Sequence, residues 1–260
     1  MTAAIHGWID AMTQTLFGKL DDIAIERLRT FEPEEGYYVA YSGGKDSDVI
    51  LDLVRRSGVK YEAHYHLTTC DPPEVVRHVK TQLDVTIDRP KLTMWQLIRK
   101  KGMPPRRTAR YCCEVLKEGE GKDGLVVTGV RWGESVRRSK RKMVESCYKS
   151  PGKRFLNVII DWTTADVWDY IRTRDIPYCK LYDEGFMRLG CVLCPMTRDV
   201  ERQMQRWPRI ARAWERAIKA TWKAEKGNFE SPDDYWQWWL DRDSSAPPRD
   251  NWLFRPDVEY

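Results

Sequence analysis

The stretch YYVAYSGGKDSDVILDLV, residues 37–54, decides the fold of this chain. Residues 37–41 predict a strand, two glycines follow at its end, and a helix is predicted to begin near Lys45 and to stop near Gly58. Glycines let the backbone turn sharply, and the free amides and dipole of a helix N-terminus favour an anion there. The spacing is not that of the Walker loop. The sequence therefore predicts a phosphate-binding loop that consists of Ser42, Gly43, Gly44, Lys45, Asp46 and Ser47.

Strand and helix patterns alternate along the rest of the chain. Further strands are predicted at residues 61–67, 85–87, 125–130 and 157–161, and further helices at 73–83, 94–101, 108–117 and 164–172. Such alternation indicates an α/β fold with a mostly parallel sheet flanked by helices, in which ligands bind at the carboxyl ends of the strands. We expect an N-terminal helix at 1–30, the domain that carries the loop at 31–200, and a helical, Trp-rich, basic C-terminal segment at 201–260.

The composition excludes several classes of protein. Hydrophobic residues make up 42% and charged residues 32% of the 260 residues, and the longest apolar runs are too short to span a membrane. The N-terminus shows no cationic start followed by an apolar core, so we expect a cytoplasmic protein with no membrane partner. A net charge of +5 is compatible with an anionic substrate or a nucleic acid but establishes neither.

A second glycine-containing segment follows a predicted buried strand. In GVRWGESVRR, residues 129–138, Gly129 permits close approach and Arg131 can meet a phosphate or sulfate through two hydrogen bonds. A surface loop with solvated arginines is the alternative. The basic run at 137–142 is as consistent with a solvated face as with a phosphate clamp or a nucleic-acid patch.

Seven cysteines in a reducing compartment favour thiol or metal chemistry over disulfides. The C-x-x-C pair Cys191 and Cys194, together with the doublet Cys112 and Cys113, supplies the four thiolates needed for a tetrahedral zinc or an iron–sulfur cluster. Packed thiols are the alternative. Cys70 ends the second predicted strand and is either a packed thiol or a spare nucleophile.

The six-residue loop resembles the PP-loop of ATP pyrophosphatases and of the phosphoadenosine phosphosulfate (PAPS) reductase family. The stretches 66–74, 129–138 and 161–178 are similar to motifs that follow in the same order in that family. The resemblance implies a Rossmann-like (adenine nucleotide alpha-hydrolase-like) fold that binds ATP, PAPS or adenylyl sulfate, with Mg²⁺ as a further cofactor. It implies a nucleotide site in which Lys45, Asp46 and Arg131 act on the phosphoryl groups. The other implied members of the site are Ser42, Gly43, Gly44, Ser47, Gly129, Glu134 and Arg138.

The cysteine arrangement resembles the set that binds a [4Fe–4S] cluster in assimilatory sulfonucleotide reductases and in some PP-loop sulfur-transfer proteins. The resemblance implies a cluster held by Cys112, Cys113, Cys191 and Cys194, with zinc as the second choice. It also implies a catalytic cysteine in a C-terminal E-C-G-x-H segment, but no cysteine follows Cys194 in this sequence. A reductase is therefore expected to need another nucleophile, such as Cys70, or a partner protein.

Three functions are compatible with these patterns. The G-G-K-D-S form of the loop resembles that of ATP users, which favours sulfur transfer to a small molecule or a nucleic acid with a cysteine desulfurase as donor. A PAPS or adenylyl-sulfate reductase that works with thioredoxin is the second, and a non-catalytic nucleotide-binding subunit is the third. The C-terminal tryptophans fit either nucleic-acid binding or a buried aromatic stripe. A homo-oligomer is expected.

Overall fold

The fold is that of a computed structural model, which describes residues 19–118, 124–148, 150, 152–224 and 229–241. The helix predicted at 1–30 is confirmed only as α1 (Leu20–Thr30), because residues 1–18 lie outside the described residues. The last 19 residues of the predicted C-terminal segment, 242–260, lie outside them as well.

A six-stranded sheet organises the nucleotide-loop part of the chain. Its strands are β1 (Tyr37–Ala40), β2 (Tyr61–His66), β3 (Val85–Asp88), β4 (Gly124–Val127), β5 (Val144–Ser146) and β6 (Lys153–Leu156). They lie in the order β3-β2-β1-β4-β6-β5, and every neighbouring pair is parallel except β5 with β6. The direction in which strands are added reverses between β1 and β4. This is the kind of switch point at which open α/β sheets bind ligands.

Helices follow or flank the strands as the sequence predicts. They are α2 (Lys45–Ser57), α3 (Pro73–Val79), α4 (Met94–Lys101), α5 (Tyr111–Cys113), α6 (Thr164–Thr173), α7 (Val200–Arg206), α8 (Pro208–Lys219) and α9 (Pro232–Leu240). Helix α2 buries Val49, Ile50, Leu53 and Val54, and it packs against α1 and α6. The predicted α/β fold with a mostly parallel sheet is confirmed.

The chain forms two compact units. The first comprises the described residues within 1–67, 73–89 and 120–190 and contains the sheet, whereas the second comprises the described residues within 68–72, 90–119 and 191–260 and is helical. In the second unit Trp207, Trp214 and Ile218 are buried, as the aromatic-stripe interpretation of the C-terminal segment predicts. The boundary expected at residue 200 stays a prediction.

Several predicted elements differ from the structure. The strand predicted at 125–130 ends at Val127. The strand predicted at 157–161 is wrong: the strand is β6, and Val158, Ile159 and Ile160 lie buried in the turn that follows. The helix predicted at 73–83 ends at Val79. The helix predicted at 108–117 begins at Tyr111 and continues as a π-helical segment at Glu114–Glu118. Burial alone does not distinguish a strand from a buried turn in so short an apolar run.

No helix among the described residues is long and apolar enough to cross a membrane.

Candidate nucleotide site and cysteine cavity

The predicted phosphate loop joins the end of β1 to the start of α2. Gly43 has a φ of 69°, in the left-handed region that side chains rarely adopt. A Cβ at this position would lie 2.9 Å from Cγ2 of Val79 and 3.0 Å from Cγ1 of Val75, both on α3. Glycine is therefore required at position 43 by both conformation and space.

The hydroxyl of Ser47 holds the turn together. Its Oγ accepts hydrogen bonds from the amides of Ser42 (3.2 Å) and Gly44 (3.1 Å), and it donates to the carbonyl oxygen of Gly44 (2.8 Å). The bond from the Gly44 amide satisfies a backbone donor that a helix N-terminus leaves without an intrahelical partner. The sharp strand-to-helix turn is thus stabilised from within by its own serine.

Asp46 connects the two cations that the sequence assigned to phosphate. Lys45 Nζ lies 2.9 Å from Oδ2 of Asp46, and Arg131 Nε lies 2.7 Å from Oδ1. The Arg131 side chain is only 2% exposed, and it also donates to the carbonyl oxygen of Trp162. Arg131 therefore braces the loop through Asp46. Its guanidinium is occupied by these protein groups.

The loop opens onto a cavity of 210 Å³. Glu134 lies in the lining and forms ion pairs with Arg138 and Arg188. Gly129 lies at the back, where a Cβ would come within 3.1 Å of Cβ of Asp46. The lining side chains that carry charge or hydroxyl groups are Ser42, Lys45, Asp46, Ser47, Glu134, Arg138, Tyr182 and Arg188. Of the predicted nucleotide-site residues, only Gly43 and Arg131 are outside this lining.

Tyr182 enters the site from a short 3-10 helix at Lys180–Tyr182. Its hydroxyl oxygen accepts a hydrogen bond from the amide of Lys45 at 3.0 Å, and the Lys45 ammonium lies 5.7 Å from the centre of its ring. The rings of Trp168 and Tyr178 pack against it, with Trp168 edge-on at 5.2 Å. Burial raises the pKa of Tyr182, so the hydroxyl stays neutral.

A buried polar network lies just beyond the loop. Oδ1 of Asp48 accepts from the Tyr41 hydroxyl at 2.6 Å and lies 2.9 Å from Nε2 of His78. Tyr41 precedes the loop and Asp48 follows it, so the network ties the two ends of the loop together. Burial raises the pKa of Asp48, and the hydrogen bond from His78 opposes this increase.

The four cysteines expected to bind metal line one small cavity in the helical unit. This cavity has a volume of 20 Å³, and its lining also includes Thr68, Lys117 and Trp214. The indole Nε1 of Trp214 donates to the carbonyl oxygen of Val192 at 2.9 Å, which fixes the backbone between the two cysteines of the C-x-x-C pair. Distant segments of the sequence therefore bring Cys112, Cys113, Cys191 and Cys194 together.

Cys70 lies beside this set rather than in the nucleotide cavity. It is 0% exposed, its carbonyl oxygen accepts from the amide of Val192 at 2.8 Å, and Thr68 Oγ1 lies between its sulfur and that of Cys191. The hydrogen bond from Cys70 and the charge of Lys117 lower the pKa of Cys191 to about 6. The Cys112 hydrogen bond and the same lysine lower the pKa of Cys113 to about 7. The hydrogen bond with Cys113 raises the pKa of Cys112, and burial raises that of Cys194, so the pKa is lowered at only two of the four positions.

A comparison with known protein families gives a match that contains both the loop and the G-x-R segment, residues 129–131. Residues 36–197 match the family described as phosphoadenosine phosphosulfate reductase domain. The chain belongs to this family.

Relatives of this PAPS reductase-type chain include enzymes of sulfur metabolism. An adenosine 5'-phosphosulfate reductase of Geobacillus kaustophilus is 30% identical over 203 residues, which are 71% of this chain and 85% of that enzyme. An uncharacterized protein of Methanocaldococcus jannaschii, MJ0066, is 28% identical over 77% of this chain but only 45% of its own length. A second, MJ0973, is matched over 51% of its length, so the chain spans about half of these two relatives.

A solved structure shares the fold. The phosphoadenylyl-sulfate (PAPS) reductase from Candida auris superimposes with a TM-score of 0.51 at 23% identity, and the match covers 70% of this chain and 93% of that one. At this identity the likeness shows the nucleotide-binding fold of the PAPS reductase family alone.

The four cysteines provide the type and number of ligand atoms that an iron–sulfur cluster needs, but their side chains are not arranged around a space that a cluster would fill. Four sulfurs line one cavity, as the resemblance implies. A cavity of 20 Å³ is sufficient for about one water molecule. Within the described part of the chain, no three or more His, Cys, Asp or Glu side chains are arranged to hold a metal ion. The lining would have to widen to accept a cluster.

Sequence patterns missed three members of these two sites. Tyr182 and Arg188 lie just beyond the Ile176-Pro177-Tyr178 motif, and Lys117 is the last residue of the helix predicted at 108–117.

Proposed function

We propose that the protein binds an adenine nucleotide through residues 42–47 and uses it in sulfur chemistry. The observation that supports this is the position of the glycine turn, which opens onto a 210 Å³ cavity at the switch point of the sheet. The cavity lining supplies helix N-terminal amides together with Lys45, Arg138 and Arg188, a donor set suited to polyphosphate.

The reaction favoured for this site is ATP-dependent sulfur transfer. An oxygen of the acceptor attacks the α-phosphorus of ATP, a new P–O bond forms, and the α–β anhydride bond breaks so that pyrophosphate leaves with the electron pair. A sulfur donor at the oxidation level of hydrosulfide then attacks the activated acceptor atom. AMP leaves with the former acceptor oxygen, and the sulfur loses its proton. Lys45 and Arg138 stabilise the charge that develops on the phosphates.

The proposed reaction and the charge around the cavity restrict the class of acceptor. The reaction requires an acceptor oxygen that can be adenylated. A nucleobase carbonyl, a phosphate ester or a small-molecule carboxyl group each has such an oxygen. The exposed basic residues next to the cavity, such as Arg137 and Lys140, suit an anionic acceptor. A nucleic acid or an anionic small molecule is therefore the proposed acceptor, and a donor protein supplies the sulfur.

The cysteine cavity is proposed to hold an iron–sulfur cluster on Cys112, Cys113, Cys191 and Cys194. When bound, such a cluster supplies iron that can hold sulfur for delivery. The four sulfurs that line one cavity and the nearby charge of Lys117 support this proposal. The pKa is lowered at Cys113 and Cys191 and raised at Cys112 and Cys194, so a metal would have to displace the protons of the latter two. Iron and acid-labile sulfide measured after anaerobic purification test this assignment. We expect Cys194→Ser to lose iron and the matched variant Cys147→Ser, at a cysteine outside the cavity, to keep it.

Sulfonucleotide reduction is the second candidate, and the relative with 30% identity favours it, because that protein is an adenosine 5'-phosphosulfate reductase. In that reaction a thiolate attacks the sulfate sulfur and AMP leaves. A second thiol then releases sulfite as a disulfide forms. Cys70 is a poor first nucleophile because it is fully buried against Cys191. A dithiol partner such as thioredoxin would supply both thiols.

Product analysis separates these functions. Pyrophosphate release from ATP that is stimulated by RNA, DNA or an anionic acceptor supports sulfur transfer, and sulfite release from PAPS or adenylyl sulfate with thioredoxin supports reduction. Lys45→Met is expected to lower either rate by about 100-fold. The control Lys100→Met, at an exposed lysine on α4 that does not line the cavity, leaves the rate unchanged. Tight binding without turnover would instead indicate a nucleotide-binding subunit. If no adenine nucleotide binds, the proposal is wrong.

A further inference from the structure

The Tyr182 hydroxyl accepts a hydrogen bond from a backbone amide of the phosphate loop. The hydroxyl oxygen lies 3.0 Å from the backbone nitrogen of Lys45, the first residue of α2. Amides in the first turn of a helix have no intrahelical partner and are the groups that bind a phosphate. An amide carries one hydrogen, so Lys45 cannot direct it fully at Tyr182 and at a phosphate oxygen together.

The hydroxyl is held where it is by its surroundings. Trp168 packs edge-on against the Tyr182 ring at 5.2 Å, and Tyr178 lies 6.4 Å from it. A Cβ at Gly44 would come within 3.3 Å of the hydroxyl oxygen, so a larger residue there would press on the hydroxyl. Burial keeps the hydroxyl neutral, and a neutral oxygen accepts a weaker hydrogen bond than a charged phosphate oxygen does.

We infer that Tyr182 is an internal competitor for the nucleotide phosphates, and that binding displaces its hydroxyl from the Lys45 amide. This inference rests on the proposed nucleotide site. Tyr182 would then set the affinity of the site for its ligand and favour charged ligands. An anionic phosphate oxygen replaces the hydroxyl at the Lys45 amide with a stronger hydrogen bond, whereas a neutral ligand oxygen forms a bond of about the same strength. The inference also predicts that the turn at Lys180–Tyr182 moves when the phosphates bind.

A competing role and a supporting role for the Tyr182 hydroxyl predict opposite changes in nucleotide affinity when the hydroxyl is removed. If Tyr182 instead holds the loop in its binding conformation, or donates to the phosphate itself, removal of the hydroxyl weakens binding. If it competes, removal of the hydroxyl strengthens binding. The variant Tyr182→Phe keeps the ring and its packing against Trp168, so it isolates the hydroxyl.

Calorimetric titration of the full chain with ATP, adenylyl sulfate and inorganic pyrophosphate tests the inference. We expect Tyr182→Phe to bind at least one of these probes about fivefold more tightly than the wild type, the effect of one net hydrogen bond. The matched control is Tyr178→Phe, which removes a hydroxyl bonded to Asp183 in the same aromatic group and should bind as the wild type does.

A second measurement follows the Lys45 amide directly. With ¹⁵N-lysine labelling, the Lys45 amide resonance should move both on addition of pyrophosphate and in Tyr182→Phe. Equal or weaker binding by Tyr182→Phe, or a Lys45 resonance that pyrophosphate leaves in place, overturns the inference while wild-type binding upholds the nucleotide site. If the wild type binds none of the probes, the proposed function itself fails.

Discussion

Arg131 and Asp46, 85 positions apart in the sequence, form an ion pair in which Nε lies 2.7 Å from Oδ1. The arginine is almost completely buried, whereas the carboxylate also accepts from Lys45. Because Asp46 belongs to the loop, this pair fixes the loop to the segment that leaves β4. The geometry gives Arg131 a positioning role, and that role has a measurable consequence.

Replacement of Arg131 by methionine should destabilise the protein and weaken nucleotide binding together. The change removes one of the two cations that pair with the Asp46 carboxylate, and loss of a hydrogen bond between charged groups costs about 2 kcal/mol. Urea unfolding and calorimetric titration with ATP measure the two effects. The control Arg137→Met, on the exposed basic run, should stay within about 0.5 kcal/mol of the wild type. A stable Arg131→Met protein would show that the pair does not brace the loop.

Substitution of Gly43 separates conformational strain from crowding. Gly43 and Gly58 have similar left-handed backbones, with φ values of 69° and 74°, but a Cβ at Gly43 meets two valines and a Cβ at Gly58 meets nothing within 4 Å. Gly58→Ala should therefore cost about 1 kcal/mol, from strain alone. Gly43→Ala should cost more and should also reduce nucleotide affinity at least tenfold. Equal costs for the two variants in urea unfolding would contradict the contact with α3.

The sequence could predict the parallel sheet and the loop because both depend on local signals. Residues 37–54 contain a strand pattern, two glycines and an amphipathic helix in immediate succession. The error at 157–161 has the opposite origin. Val158, Ile159 and Ile160 are as deeply buried as strand residues, but their backbone turns after β6. Tertiary packing, which three residues do not encode, decides between the two.

The sequence predicted which residues form the candidate sites better than it predicted which atoms those residues contact. The loop residues and the four cysteines were found from their spacing, and each set lines one cavity. The direction of Arg131 was not predictable, because an arginine after a strand suits a phosphate and a carboxylate equally well. Tyr182 was missed for a similar reason: nothing in its neighbourhood marks a hydroxyl that reaches the Lys45 amide 137 positions away.

An ion pair in the sheet unit should make stability depend on acid pH. The hydrogen bond from Arg55, opposed by partial burial, lowers the pKa of Asp84 to about 2. An unfolded aspartate titrates near pH 3.9, so the stabilisation is fully present above that value and is lost as the pH falls from 4 to 2. Both side chains are more than a third exposed, which limits the effect to about 1 kcal/mol.

Asp84→Asn should therefore lower the free energy of unfolding by about 1 kcal/mol at pH 7 and match the wild type near pH 2. Urea unfolding across this range measures the difference. Asp169→Asn is the control, since that carboxylate is 77% exposed beside Arg172 at 3.6 Å. A penalty of the same size at pH 2 and pH 7 would show that Asp84 stabilises the fold by some means other than its charge.

Trp214 links the aromatic core of the helical unit to the C-x-x-C pair. Its Nε1 donates to the carbonyl oxygen of Val192 at 2.9 Å, and its ring stacks on Trp239 at 4.9 Å. Trp239 makes a comparable hydrogen bond, at 2.8 Å, to the carbonyl oxygen of Pro105. Phenylalanine at either position removes one buried N–H donor and keeps an aromatic ring, so each variant should lose about 1–2 kcal/mol in urea unfolding. Only Trp214→Phe frees the backbone between Cys191 and Cys194. We therefore expect it to retain less iron after anaerobic purification than Trp239→Phe, and equal iron in the two proteins would rule out a role for Trp214 in positioning the cysteines.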